Sequence, residues 1–516
     1  MTRGLEILAM LAVLLCSSAA IGQAIDAGHF RTLREKASNS ELTADERKEL
    51  DAAARSAGRP AAETDTPSSR DELRQKRLAE YAERQKFVFE RSRQQAQVAL
   101  AAAEKRLPPA EMSREYFVNN ELGDDDANGL SPRKNANCGP VRTLSKAVSM
   151  LKPGDTLHLA VTNQPYRESL RLGDDFGGVA DRPIVIEGHF ATLTGSDPLR
   201  LDGWVEAGEP GLYKSAKFLT ELEEFTDESK LMRVFFIFDG VMQHMGRSSK
   251  GNHSRLKAPA VLQPGEWTYV EAEKTFYLKV SGKLADAKIE APYRRNGVSI
   301  RSPKVALTHV IIKDLIVCHA LNDGWNLHGT TRSLLLKNIA AYECGDDGIS
   351  PHETCEVTID GYWGVGNSTG MANGNLSVTK ASNVRLEGNK AHQFMTGHAP
   401  TTELRNAIII AHSGTQPVNV TNAQGTRSRL ENVRIIAPPG QKILNVVNST
   451  IEARRITVIG PSWENAGSIS VSDSVISGGS VIQLMGGVWK GDNNVYAITL
   501  EADKKPPDER EFSGLF

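Results

Sequence analysis

Two short segments of the chain carry most of the side chains that could do chemistry together. Asn322-Asp323-Gly324-Trp325-Asn326-Leu327-His328-Gly329 aligns without a gap on Asp346-Asp347-Gly348-Ile349-Ser350-Pro351-His352-Glu353, 24 residues later. If 24 residues are one repeat of the backbone, Asp323 lies over Asp347, Asn322 over Asp346 and His328 over His352. Carboxylates stacked about 5 Å apart repel, so one keeps its proton at neutral pH unless a cation intervenes. A protonated and an ionised carboxylate side by side suit glycoside hydrolysis, one protonating the leaving oxygen and the other activating water or attacking. Asp323, Asp346 and Asp347 are therefore the catalytic candidates. Trp325 offers a face to a sugar ring, and His328, His352 and Glu353 are candidate substrate-binding groups. A structural reading stands beside this one. Asp-Gly is a common turn, because Asp bonds its own backbone and Gly supplies positive φ, and the His pair would then be an outward-facing polar stack.

The same displacement governs the flanking apolar residues. Val310-Ile311-Ile312-Lys313-Asp314-Leu315 reappears as Leu334-Leu335-Leu336-Lys337-Asn338-Ile339, with looser copies at Val384–Asn389, Ala407–Ile410, Val433–Ala437 and Ile456–Ile459. A period in the low twenties, made of short β-rich pieces and polar turns, marks a solenoid whose coils cannot bury their apolar face alone. The Leu/Asn template of a leucine-rich repeat is absent. Successive coils stack about 4.8 Å apart, so equivalent side chains form ladders; the Asn ladders and the Lys313/Lys337 pair read as structural or solvated. Aromatic residues are only 6% of the chain against 44 glycines, which suits many tight turns. The repeats occupy 297–500, with a tail over 501–516. Residues 200–296 break the rhythm. There Phe235-Phe236-Ile237-Phe238, Gly265-Glu266-Trp267-Thr268-Tyr269 and Phe276-Tyr277-Leu278 read as antiparallel strands.

Residues 113–199 have a third character. Tyr116-Phe117-Val118 leads through a turn-rich stretch to a short amphipathic helix carrying Leu144, Ala147, Val148 and Leu151. Strand pieces follow at Thr156-Leu157, Leu170 and Ile184-Val185-Ile186. This order resembles the N-terminal cap and first rungs of secreted bacterial right-handed parallel β-helix proteins of the pectate lyase-like superfamily, many of them carbohydrate-active. The resemblance implies that the helix plugs the open end of the cylinder and that the 200–296 elaboration borders the substrate groove. The two acidic segments also resemble rungs of polygalacturonase-type glycosidases, Asn-x-Asp-Gly followed one turn later by Gly-Asp-Asp. Here the matching residues are Asn322, Asp323 and Gly324, then Gly345, Asp346 and Asp347. No residue separates Asn322 from Asp323, and the family's Gly-His-Gly and Arg-Ile-Lys elements are missing, the next rung reading Ser368-Thr369-Gly370-Met371. The resemblance implies Asp346 as the acid, with Asp323 and Asp347 as water-activating partners.

The first 112 residues lie outside this frame. Residues 1–24 read as a signal peptide, with Arg3 as the charged start, an apolar run over Ile7–Cys16 and a small-x-small site at Gly22-Gln23-Ala24. This implies a secreted or periplasmic protein with no membrane span. Residues 25–112 read as a charged helical segment, with capping boxes at Thr43-Ala44-Asp45-Glu46 and Ser69-Arg70-Asp71-Glu72. The second opens a helix running to about Leu107, before Pro108-Pro109. Its apolar residues Leu73, Leu78, Tyr81, Phe87, Val88 and Phe89 make a weak stripe, compatible with docking on the main body, with self-association as a coiled coil, or with a spacer. A net charge of −2 excludes a general nucleic-acid binder. Cys138, Cys318, Cys344 and Cys355 match no zinc pattern and read as buried thiols.

Three functions follow. The favoured one is a secreted glycoside hydrolase acting on a polysaccharide laid along the groove, with no cofactor. The second is a polysaccharide lyase, with Ca²⁺ held by the same carboxylates and His328 or His352 as base. The third is a non-catalytic surface, adhesion or glycan-binding protein.

Overall fold

The computed structural model describes residues 90–104, 112–497 and 510–511, apart from 136–137, 175, 217–230, 252, 422–426, 439–441, 461, 478–481 and 485–486. All of these belong to one compact unit, Lys86–Phe516. The signal peptide, both capping boxes and the apolar stripe from Leu73 to Phe89 lie outside the described residues, as does nearly all of the tail. Among the described residues no helix is long and apolar enough to cross a membrane.

The main body is a right-handed parallel β-helix. Its coils stack in the register that the sequence displacement predicts. Val310, Ile311 and Ile312 pair with Leu334, Leu335 and Leu336, and Trp325 pairs with Ile349. Parallel pairing of identical coil positions turns each apolar residue into part of a column. One interior column runs Ile312, Leu336, Ile359, Ala381, Leu404 and Leu430, and all six are buried. A second runs Val298, Trp325, Ile349, Met371, Phe394 and Val418. Trp325 is thus a core residue of the cylinder.

The bends between strands are made by short polar residues in the left-handed region. Asp314, Asn338, Asn383, Asn406 and Asn432 have φ between 49° and 58°, a conformation that Asn and Asp tolerate better than other side chains. They stack and bond to one another, Asn338 Nδ2 donating to Asp314 Oδ1 at 2.8 Å and Asn432 Nδ2 to Asn406 Oδ1 at 2.8 Å. The Asn ladder is structural, as expected.

At the N-terminal end, Glu115–Val118 pairs with Thr156–Leu159, which pairs in turn with Ile184–Thr194. The helix Leu144–Met150, capped by Thr143, presses Leu144 and Ala147 into the apolar interior. The elaboration consists of two four-stranded antiparallel sheets. One contains Glu266–Val270, Thr275–Lys279 and Leu212–Ser215; the other contains Phe236–Phe238 and Ile289–Pro292. Trp267, Phe236 and Leu278 form its core, which closes against Leu321 of the β-helix.

Glycine serves here in a way that turn chemistry does not explain. Neither Gly324 nor Gly348 has positive φ. A Cβ on Gly324 would lie 2.7 Å from Gly348 O, and one on Gly348 would lie 2.7 Å from Gly370 O and against the Tyr362 hydroxyl. The Asp-Gly glycines let neighbouring coils approach; they do not supply a left-handed turn. Gly348→Ala should therefore cost about 1–3 kcal/mol by overpacking. Gly173→Ala, where a Cβ meets nothing within 4 Å, should stay within about 0.5 kcal/mol of wild type. Denaturant unfolding of both variants checks this, and equal midpoints would show that the coils separate freely at Gly348.

Candidate functional site

The register brings the three acidic residues together. Asp347 N donates to Asp323 Oδ1 at 3.1 Å, and Asp346 N donates to Asn322 O at 2.9 Å. One carboxylate oxygen from each of Asp323, Asp346 and Asp347 lies within 4.8 Å of the others, and all three residues are buried. They sit on the floor of a groove of about 820 Å³ that also holds Asn326, Ser350, His328, His352 and Glu353.

The elaboration supplies the counter-charges. Arg233 donates to Asp346 Oδ2 through Nε at 2.9 Å and Nη2 at 2.8 Å. Lys250 Nζ lies 2.8 Å from Asp346 Oδ1 and also contacts Asp347 Oδ1. Ser249 bonds Asp346 as well, and its Oγ is 2.8 Å from Ser368 Oγ. Gly345 makes this docking possible, because a Cβ there would meet the carbonyl oxygens of Arg233 and Leu321. Asp323 is held by Asn326, whose Nδ2 donates to Oδ2 at 2.6 Å.

Among the described residues two cations, Arg233 and Lys250, pair with this trio of carboxylates. Burial, then repulsion from Asp346 and Asp323, pushes the Asp347 carboxyl up to about 8, against the pull of Lys250. Burial and the charge of Asp346 raise Asp323 too. Asp346 behaves oppositely: burial would raise it, but Lys250 and Arg233 hold it below the usual range. The resemblance puts the acid at Asp346, whose two oxygens both accept from cations in this structure; burial and repulsion favour a proton on Asp347 and Asp323 instead. Lys250 itself stays protonated, because its three acidic neighbours outweigh its burial.

His328 and His352 form the predicted ladder, their rings stacked with centroids 4.7 Å apart. His328 Nδ1 is 3.0 Å from Glu353 Oε1, and Glu353 also accepts from Gly329 N. His352 Nε2 lies 2.6 Å from Ser350 Oγ. Burial, then His328 and Lys250, lowers His352 to about 4, so it is a neutral imidazole at pH 7. Trp325 is the sequence-predicted site residue that the structure removes. It is fully buried in the cylinder, with Nε1 donating to Ala340 O at 3.1 Å. Its parity matches Ile349 and Met371, so its ring faces the core and meets no ligand. Arg233, Ser249 and Lys250 were invisible to repeat reasoning, since they belong to an insertion with no period.

The carboxylate trio has the donor chemistry of a hard-cation site. Lys250 Nζ already bridges Asp346 and Asp347, however, so a Ca²⁺ ion sharing those oxygens would have to displace a cationic side chain. The residues fit a proton-bearing site better than a Ca²⁺ site.

No family model and no curated protein matches the sequence. Among solved structures the chain is similar to XylC in complex with xylose, at 13% identity over 74% of this chain and 69% of that one, with a TM-score of 0.45. It is similar to pectate lyase Pel9A at 12% identity over 78% and 82%, with a TM-score of 0.38. It is also similar to the A-module of the mannuronan C-5 epimerase AlgE4 of Azotobacter vinelandii, at 11% identity over 81% and 95%, with a TM-score of 0.32. These likenesses concern the fold.

The electrostatics give a stability prediction. The Asp347 carboxyl releases its proton near 3.8 when unfolded and near 8 when folded, so between those values the folded state binds more protons. Stability falls as pH rises through that window. Asp347→Asn removes the penalty and should raise Tm at pH 8 by a few degrees or more relative to wild type, with little gain at pH 4. A variant that is equally destabilised at both pH values would rule out a retained proton at Asp347.

Proposed function

We propose that the protein is a glycoside hydrolase that cleaves a polysaccharide bound along the β-helix groove. The observation that carries this reading is the trio of buried carboxylates, to which Arg233 and Lys250 are the only cations paired among the described residues, an arrangement that favours one exchangeable proton on the groove floor. Asp347 donates that proton to the leaving glycosidic oxygen. Asp323, oriented by Asn326 and by the Asp347 N–H, serves as the partner carboxylate that activates water or attacks the sugar. Asp346 stays ionised between Arg233, Lys250 and Ser249 and raises the proton affinity of its two neighbours. It is a positioning residue. His352, neutral and bonded to Ser350, and the His328–Glu353 pair offer donors and acceptors to sugar hydroxyls. Lys250, kept an ammonium by its acidic neighbours, cannot itself act as a base in this groove. The leader read over residues 1–24 suits a polysaccharide substrate, which is met outside the cytoplasm.

Release of reducing sugar from acidic and neutral polysaccharides tests the reading. Asp347→Asn and Asp323→Asn should each lower kcat by about 10²–10⁴, the range of a general acid or base. The product should lack the ultraviolet absorbance of an unsaturated sugar, and a chelator should leave the rate unchanged. Full activity in either variant, or an unsaturated product, would overturn the assignment.

The pH profile provides a second check. Activity needs protonated Asp347, so kcat/KM should fall as pH rises past about 8. Lys250→Met removes a cation that favours ionisation, and the alkaline limb should move upward. A limb that stays in place means another group titrates.

A further inference from the structure

The groove has a wall that neither repeat logic nor the acidic site accounts for. The coil containing Val298–Cys318 is longer than the one after it. Ser302 pairs with Gly329 but Leu307 pairs with Thr331, so extra residues bulge out between them. The bulge is built, not loose: Lys304 N and Val305 N both donate to Asp174 Oδ1, at 2.7 and 3.0 Å, and Ser302 Oγ donates to Thr330 O at 2.8 Å.

On this bulge rests the helix of residues 90–104. Ala99 and Ala103 bury against Ala306, with Leu100 and Val305 packed around them, and Ala96 is buried one turn earlier. Small side chains at this spacing occupy one helix face and let the helix lie close. Toward the N-terminal end of the same face the chemistry changes. Ser92 and Gln95 reach past the bulge and line the groove beside Arg301, Pro303, Gly329 and Thr330. Their residue types are those that bond sugar hydroxyls, an amide with two donors and an acceptor and a hydroxyl with both. The groove thus lies between two walls from outside the repeats. The elaboration contributes Arg233 and Lys250 to the lining, and the helix contributes Ser92 and Gln95.

We propose that this helix is the second wall of the polysaccharide-binding groove, with Ser92 and Gln95 as positioning residues that bond sugar hydroxyls. The inference rests on the reading of the groove as a glycan site and extends it to a segment whose sequence leaves docking, self-association and a spacer role all open. It explains why alanine, not a larger apolar residue, faces the bulge: a longer side chain would lift Ser92 and Gln95 away from the groove.

The test uses the full chain with polygalacturonate, alginate, xylan and a mixed-linkage β-glucan as probes. Reducing-sugar kinetics and retardation in polysaccharide-containing native gels are read in parallel. Each hydrogen bond lost is worth roughly fivefold in binding, so Ser92→Ala/Gln95→Ala should raise KM about five- to twentyfold and leave kcat within about twofold. Ala99→Glu, which lifts the helix, should do the same and also lose gel retardation in the Asp347→Asn background. Gln97→Ala, an exposed position of the same helix outside the groove lining, should change neither. Unchanged KM and retardation in both wall variants would overturn the wall while leaving hydrolysis intact. If no probe is cleaved, the hydrolase reading falls, and the wall stands or falls on retardation alone. Absence of both cleavage and retardation overturns both.

Discussion

Parallel coils stacked at a fixed spacing leave no room for compromise over charge. When Asp347 is placed over Asp323 and Asp346 over Asn322, three carboxylates are buried within one another's reach, and burial and mutual repulsion both oppose ionising all of them. A β-helix coil cannot slide to relieve this, because the columns that contain Trp325 and Leu336 fix the register on both sides of the acidic segment. The remaining remedies are cations from elsewhere or a retained proton. The protein uses both. Arg233 and Lys250 neutralise two charges, and a proton takes the third.

That arrangement ties the fold of the insertion to the state of the site. Arg233 and Lys250 reach the groove only because the insertion's Trp267–Phe236 core closes on Leu321 and because Gly345 has no side chain to hold the Arg233 backbone away. Loosening that contact removes counter-charge from buried acids, so a packing defect in the insertion becomes an electrostatic one on the groove floor. Asp346 is the hinge of this coupling. Its two oxygens are spent on Lys250, Ser249 and Arg233, which unfits it for proton transfer and makes it the anchor that sets the proton affinity of its neighbours.

The sequence reveals the repeat and the vertical alignment of the acids because the 24-residue displacement persists through strand, bend and acidic segment alike. The bends are legible too, since Asp314 and Asn338 are residue types that accept left-handed backbone. Four features are not legible, each for its own reason. Trp325 looks available as a sugar platform, but its side-chain parity with Ile349 directs it inward, and that parity is fixed only once the strand's start is known. The Asp-Gly glycines look like turn residues, whereas the close approach of Gly348 to Gly370 is a property of three coils at once. Arg233 and Lys250 come from a segment without period; the only hint of them is that stacked acids need partners that the coils themselves lack. The docking of residues 90–104 is similarly hidden, because three alanines among Arg and Gln give too weak a stripe to name a partner.

The column of stacked acids ends abruptly. Asp347 pairs with Thr369, Thr369 with His392 and His392 with Gln416, so the position held by a carboxylate on two coils becomes hydroxyl, imidazole and amide on the next three. Burial, then Lys250, lowers His392 to about 4, so it brings no charge at neutral pH. Alongside, the ladder of Asn326, Ser350 and Ala372 continues to Met395 and Asn419, and Gly374 pairs with Gly397 beyond His352. Among the described lining residues the carboxylates are thus confined to two coils. Burying three acids has its highest electrostatic cost where they cluster, and repeating the cluster on each coil would multiply that cost.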